Sequence, residues 1–194
     1  VVEDKESLDR VLGEISGMGI DVLKHLNCQL SEELNHHLLE HGFRHILYLW
    51  RRNALKRAVS NEISFQAREW RRDRDKVLST EFVPLDLEKI RGNINWYRSE
   101  VECYRAFMKT SGIDFTEIVM EDFYDSGMEE KERYILRLGR KCFPLRSLRC
   151  NREELRKILS PEVSRLNSPE TYRLIPNIDE VDREFSCEEN GYLF

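Results

Sequence analysis

The 194-residue chain lacks the features that mark several broad classes of protein. No apolar run approaches the roughly 20 residues that a membrane-spanning helix needs. The mean hydropathy is −0.59, and 35% of the residues are charged. No basic segment followed by a short apolar stretch opens the sequence, so no signal peptide is predicted. A soluble protein with a cytoplasmic location is the expectation.

Metal and disulfide signatures are also missing. Five cysteines are an odd number, and none stands in a CxxC pair, so reduced thiols are expected in place of a disulfide framework or a zinc finger. His36, His37 and His41 share one predicted helix. Although His37 and His41 are four residues apart, no third ligand follows at a recognisable spacing. No metal site is predicted.

What the sequence does have is a basic island in an acidic chain. Residues 44–76 carry ten basic and four acidic side chains, a net charge of +6. The net charge of the whole chain is −5, so the remaining residues together carry −11. A local excess of this kind favours a localised anionic ligand over nucleic acid, whose binding surfaces are usually broadly basic. For residues 68–76 alone, a solvated helix face is the preferred interpretation.

Hydrophobic periodicity predicts alternating strands and helices. Strands are expected at 16–23, 45–50 and 115–120, and helices at 31–42, 55–70, 84–112, 129–142, 151–159 and 176–185. HILYLW (45–50) is almost continuously apolar, as a strand covered on both faces would be. This order is typical of an α/β domain with a parallel sheet, predicted here as a single domain over residues 1–194.

Arg51 and Arg52 follow HILYLW directly, at the carboxyl end of a predicted strand, where ligands bind in parallel sheets. An arginine there presents a fork of donors suited to phosphate oxygens. A helix beginning near Leu55 would add its positive end, and Ser60 would add a hydroxyl. The residues alone leave two interpretations open, a phosphate site and the basic start of a helix.

The pattern of an apolar strand, Arg-Asn, and a serine eight residues after the arginine resembles the 3′-phosphate motif of PAPS-dependent sulfotransferases. The doubled arginine of LWRRNALKRAVS is similar to the carbohydrate and Stf0-like branch. The resemblance implies a P-loop-type parallel sheet flanked by helices. It also implies that Arg52 and Ser60, with Arg51 beside them, hold the 3′-phosphate of 3′-phosphoadenosine 5′-phosphosulfate (PAPS) or of its product PAP.

Other segments extend the resemblance over most of residues 19–185. GIDVLKHL is similar to the glycine-led strand before the motif, and FTEIVMEDF to the family's strand ending in Glu-Asp-Leu. RLNSPETYRLIPNIDEV resembles the C-terminal segment, in which Arg165 matches a basic position near the nucleotide. The family's 5′-phosphosulfate loop has no counterpart, because GEISGMG (13–19) lacks the Lys-Ser/Thr that follows the glycines in such a loop. That loop is expected upstream of Val1, in an N-terminally incomplete domain, or else the protein has lost it.

Roles outside the arginine motif stay open. Lys24 and His25 lie where the family can place a general base, although a polar strand end is the preferred interpretation. Glu121 and Asp122 are expected to end a strand and to act mainly through structural hydrogen bonds. Trp70, Trp96, Tyr97 and Tyr104 are interpreted as core. No catalytic residue is assigned.

The expected function is sulfuryl transfer from PAPS to a hydroxyl of a carbohydrate or small metabolite, with a homodimer left open. The alternative is a non-catalytic relative that keeps the fold and half of the nucleotide site. A nucleic-acid-binding helix at residues 51–76 is disfavoured, because acidic residues interrupt it and the rest of the chain would repel a polyanion.

Overall fold

A computed structural model of the chain describes residues 2–19, 22–41, 43–69, 73–143, 151–160 and 169–194. The chain divides into two compact units, one of residues 1–47 and 103–116 and the other of residues 48–102 and 117–194. The single domain predicted over residues 1–194 stays a prediction.

The described residues are mostly helical and contain a small two-stranded parallel sheet, so the mixed α/β class is confirmed at this coarse level. None of these helices is both long and apolar enough to cross a membrane. The elements in chain order are α1 (Lys5–Gly17), a 3-10 turn (Asn27–Gln29), α2 (Glu32–Glu40), β1 (Ile46–Trp50), α3 (Ala54–Ala67), α4 (Arg74–Leu78), α5 (Leu87–Thr110), β2 (Phe115–Val119), α6 (Met120–Asp125), α7 (Met128–Cys142), α8 (Arg152–Leu159), α9 (Pro169–Tyr172) and α10 (Ile178–Phe185).

In the first unit, α1 packs against α2 through leucines. Leu8 and Leu12 of α1 form a buried cluster with Leu34 and Leu38 of α2. The strand predicted at 16–23 is wrong in its described part, because α1 runs to Gly17 and no strand follows at residues 18–19 or 22–23. Glycines also end helices, and Gly17 is the last residue of α1 and not the start of a strand.

Asn35 organises the segment that precedes α2. This buried amide donates to the carbonyl oxygens of Asn27 at 2.8 Å and of Leu30 at 3.2 Å. Its Oδ1 lies 2.5 Å from Nε2 of His25. His25 therefore has a structural partner in α2. The polar strand end preferred for Lys24 and His25 is wrong, because residues 22–26 form no strand.

The strand β1 is confirmed, but its predicted burial on both faces is wrong. Leu47 and Leu49 are 44% and 57% exposed, whereas the alternate residues of the strand are half-buried. Successive side chains point to opposite faces of a strand, so only one face of β1 is covered within the described part of the chain. The continuous apolar run thus predicts the strand correctly, but it does not predict which faces of the strand are buried.

The core of the second unit lies among α3, α5 and α10. Its fully buried side chains include Leu55, Ile63, Ile90, Ile175 and Val181. The long helix α5 begins at Leu87, within the predicted range 84–112, because the Asp86 carboxylate accepts hydrogen bonds from the backbone N–H groups of Glu88 and Lys89. The four-residue spacing of apolar side chains on α3 and α5 places the polar face of α3 outside this core.

Candidate functional site

The candidate site is built on the turn between β1 and α3. β1 ends at Trp50, and α3 begins at Ala54 with Asn53 as its N-cap. The Asn53 Oδ1 accepts a 2.7 Å hydrogen bond from the backbone N–H of Lys56. The strand, turn and helix predicted from LWRRNALKRAVS are therefore confirmed, and they hold two arginines at the carboxyl end of a parallel strand.

Glu121, in the first turn of α6, holds this turn. Its Oε2 accepts from the backbone N–H of Arg52 at 2.8 Å, and its Oε1 accepts from that of Asn53 at 3.2 Å. A charged acceptor makes both hydrogen bonds stronger than neutral ones. The structural role expected for Glu121 is confirmed. Its predicted place at the end of a strand is wrong, because β2 stops at Val119 and Glu121 lies in the first turn of α6.

Asp122, next along α6, binds the side chain of Arg52. Nη2 of Arg52 donates to both carboxylate oxygens of Asp122, at 2.7 and 2.8 Å. The two side chains are 61% and 60% exposed. Exposed ion pairs contribute little stability, typically below about 1 kcal/mol. Arg52 is thus presented to solvent in a defined direction by a partner that another anion can displace.

Arg51, unlike Arg52, is half-buried. Tyr97 fixes its backbone, since the phenol oxygen accepts from the Arg51 N–H at 2.7 Å and donates to the Arg51 carbonyl at 3.2 Å. Burial raises the pKa of Tyr97, so the phenol is protonated at neutral pH and keeps both hydrogen bonds. The Arg51 Nε lies 3.4 Å from the Met120 sulfur, a weak acceptor. Within the described part of the chain, no carboxylate forms an ion pair with Arg51.

The positive end of α3 is already occupied by the chain itself. The Leu55 N–H donates to the carbonyl of Asn190 at 3.0 Å, and Asn53 Nδ2 donates to that of Tyr192 at 2.8 Å. Between them, Gly191 has φ +86°, and a Cβ there would lie 2.3 Å from Cγ of Asn53. Only glycine fits this approach. The sequence prediction that the start of α3 helps to hold a phosphate is therefore wrong for these donors, which bind backbone carbonyls.

Ser60 lies on α3 roughly 9 Å along the axis from Ala54. It is half-buried, and its Oγ is 3.3 Å from the hydroxyl of Tyr172. Arg52 and Ser60, both described, share no hydrogen bond and have different partners, Asp122 and Tyr172, so the structure does not join them. Lys56 and Arg57 lie between them in the sequence, on α3, and are half-buried.

Arg57 is held by aromatic rings of α5. Its guanidinium carbon lies 4.2 Å from the ring centroid of Tyr97 and 5.1 Å from that of Trp96. Such cation–π contacts keep a cation charged and fixed in direction. The core interpretation is confirmed for Tyr97 and for Tyr104, which are buried, and is wrong for Trp96, which is 47% exposed beside Arg57.

Two of the residues singled out by the sequence lie outside the described residues. These are Arg165, expected near the nucleotide, and Trp70, expected in the core. His37 and His41 both face Asp9, whose Oδ1 lies 2.7 Å from Nε2 of His37 and 3.6 Å from Nδ1 of His41. These two histidines therefore have a carboxylate partner in α1.

The arrangement can bind an anion, since three guanidinium groups and a lysine flank one turn and the helix that follows it. The carboxylates of Glu121 and Asp122 balance part of that charge, and Glu121 already accepts hydrogen bonds from two backbone N–H groups. Searches against protein-family models, curated proteins and solved structures find no match to this chain.

Proposed function

We propose that the chain binds the 3′-phosphate of PAPS or PAP at the carboxyl end of β1, as part of a sulfotransferase-like domain. The observation that carries the proposal is the burial of the two strand-end arginines and the partners of their guanidinium groups. Arg51 is half-buried beside a thioether, and the exposed guanidinium of Arg52 pairs with an equally exposed carboxylate. Ligands of parallel sheets bind at this edge.

A phosphate suits this pair of arginines better than the carboxylate that is there. A nucleotide phosphomonoester carries close to two negative charges at neutral pH and offers three oxygens, so it can accept from two guanidinium groups together. The Arg52 donors that face Asp122 are exchangeable because both side chains are exposed. Ser60, with the Tyr172 hydroxyl beside it, supplies neutral donors farther along α3.

In the proposed reaction the sulfur of PAPS is attacked in line by an acceptor hydroxyl of a carbohydrate or small metabolite. A new S–O bond forms to the acceptor, and the bond between sulfur and the 5′-phosphate oxygen breaks. The acceptor proton passes to a base, and PAP leaves with the electron pair of the broken bond. Arg51, Arg52 and Ser60 contribute by holding the 3′-phosphate, which fixes the nucleotide while the 5′ end reacts.

Calorimetric titration with three nucleotides tests the proposal. We expect PAP to bind about a hundredfold more tightly than AMP, which lacks the 3′-phosphate. Adenosine 2′,5′-bisphosphate, with the same charge and the phosphate moved by one carbon, is expected to bind close to AMP. Equal affinity for the two bisphosphates would show attraction by charge alone, and no binding of PAP would refute the site. Release of PAP from PAPS with a panel of sugar acceptors then tests transfer.

The substitution Asp122→Asn is expected to raise the affinity for PAP and so gives a second test. The amide removes a negative charge that competes with phosphate for Arg52, so PAP affinity is expected to rise about threefold, and more at low salt. Asp125→Asn removes the same charge from the same helix and is the matched control. A fall in affinity for Asp122→Asn, measured by the same titration, would mean that Asp122 positions Arg52 for the ligand and does not compete with it.

A further inference from the structure

In the first unit, α2 and the end of α5 bring together three side chains of the types that can bind transition metals. Glu32 and His36 lie one helical turn apart on α2, and Cys103 comes from α5. A carboxylate oxygen, a ring nitrogen and the thiol sulfur all lie within 4.8 Å of one another. The Cys103 Sγ is 3.7 Å from Oε1 of Glu32.

The imidazole of His36 is held in a fixed orientation. Its ring stacks on Phe107 with centroids 3.8 Å apart and an interplanar angle of 9°. Tyr104 meets it edge-on, at 5.8 Å and 77°. A ring clamped on two sides presents its nitrogens in set directions, as a metal ligand requires.

His36 also carries an unsatisfied polar atom. Its Nε2 is buried and has no hydrogen-bond partner among the described residues. Buried nitrogens without a partner are rare in folded proteins because each costs free energy. A bond from Nε2 to a metal ion would remove that cost.

We propose that Glu32, His36 and Cys103 form a binding site for a zinc ion. A thiolate, an imidazole and a carboxylate together favour Zn²⁺ over Mg²⁺ or Ca²⁺, which prefer oxygen ligands alone. Ligand atoms of tetrahedral zinc lie roughly 3.5 Å apart, so small side-chain rotations bring these three into range. Binding releases the Cys103 thiol proton to solvent, and the bond to the thiolate takes its place.

The proposed site has three protein ligands, and no fourth His, Cys, Asp or Glu joins the group within the part of the chain that the structure describes. The fourth position is therefore open to water or to an exogenous donor, as in zinc sites that bind a substrate. Glu32 and Cys103 are both exposed, so an ion can enter from solvent. The site uses none of the residues of the nucleotide proposal.

This site is not predictable from sequence motifs, because its ligands are divided between two helices that are distant along the chain. Glu32 and His36 alone are an ordinary pair on a helix, and Cys103 lies 71 residues after Glu32. The spacing rules that identify zinc fingers need two ligands within a few residues on each side.

Titration of the reduced, metal-free chain with Co²⁺, as a spectroscopic substitute for Zn²⁺, tests the proposal. We expect one equivalent to produce a thiolate-to-cobalt charge-transfer band and intense visible bands of tetrahedral cobalt, both lost when Zn²⁺ is added. Cys103→Ser is expected to abolish the charge-transfer band. Cys28→Ser, another exposed cysteine of the same unit, is expected to keep it.

His36→Phe is the second variant, because it keeps a ring for the stack on Phe107 and removes the ligand nitrogen. We expect it to weaken Co²⁺ binding at least about tenfold without loss of helical circular dichroism. Glu32→Gln is expected to weaken binding in the same way. The proposal is overturned if no thiolate band appears, if the band survives in Cys103→Ser, or if His36→Phe binds cobalt as tightly as the unaltered chain.

Discussion

Replacing Arg52 with alanine is expected to weaken binding of PAP by about 10- to 100-fold. The affinity for AMP is expected to stay unchanged. The loss comes from charge-assisted hydrogen bonds between one guanidinium and the 3′-phosphate, which AMP lacks. Arg52→Lys keeps the charge without the fork of donors. Its affinity for PAP is therefore expected to lie between those of the unaltered chain and of Arg52→Ala. Calorimetric titration of each variant with both nucleotides measures the effect.

The matched control is Arg91→Ala. Arg91 is also an exposed arginine of the second unit and is paired with a carboxylate, that of Glu184 at 2.6 Å. Its removal changes the net charge as Arg52→Ala does, but at a helix surface away from the strand end. If Arg52→Ala weakens AMP and PAP equally, or if Arg91→Ala weakens PAP as much, then Arg52 does not contact the 3′-phosphate.

Glu121→Ala is expected to lower the free energy of unfolding by about 2 kcal/mol. It removes the acceptor of two backbone N–H groups, those of Arg52 and Asn53, which lose a charged partner in a half-buried turn. The same change is expected to weaken PAP binding, because the turn that directs Arg52 is no longer held. Glu121→Gln keeps one acceptor oxygen, so about half of the stability loss is expected. Urea unfolding followed by tryptophan fluorescence measures both variants.

Glu129→Ala is the control for the helix position. Glu121 and Glu129 are each the second residue of a helix, α6 and α7 respectively, so both interact with the helix dipole. Only Glu121 receives hydrogen bonds from the β1–α3 turn. Equal losses of stability in the two variants would assign the effect to the dipole and would contradict the role given to Glu121 here.

Local signals in the sequence predict the helices well, because caps and apolar spacing act over a few residues. Ser31, Asp86 and Asn151 stand directly before α2, α5 and α8, and each accepts backbone hydrogen bonds as an N-cap does. The helix α1 was missed, although Asp4 and Ser7 form a reciprocal capping box that marks its start. The glycines at its end, followed by a short apolar run, favour a strand when residues 16–23 are taken alone.

The site is predictable only in the part that follows from one continuous segment. The arginines at the end of β1 and the serine on α3 follow from the order of residues 45–60. The partners of that segment lie far along the chain: Glu121 is 69 residues from Arg52, and Tyr192 is 139 residues from Asn53. No periodicity relates residues at such separations, so the displaceable partner of Arg52 and the occupied start of α3 required the fold.

The contact of Asn53 with the segment around Gly191 has a consequence for biosynthesis. A growing chain releases the β1–α3 turn from the ribosome long before residues 190–192 are translated, and closing a loop of this length costs entropy that only the finished core offsets. Until then the first amides of α3 have no carbonyl acceptors from this segment. The turn that carries Arg52 therefore reaches its final form only after translation has passed Gly191, which couples the candidate site to completion of the second unit.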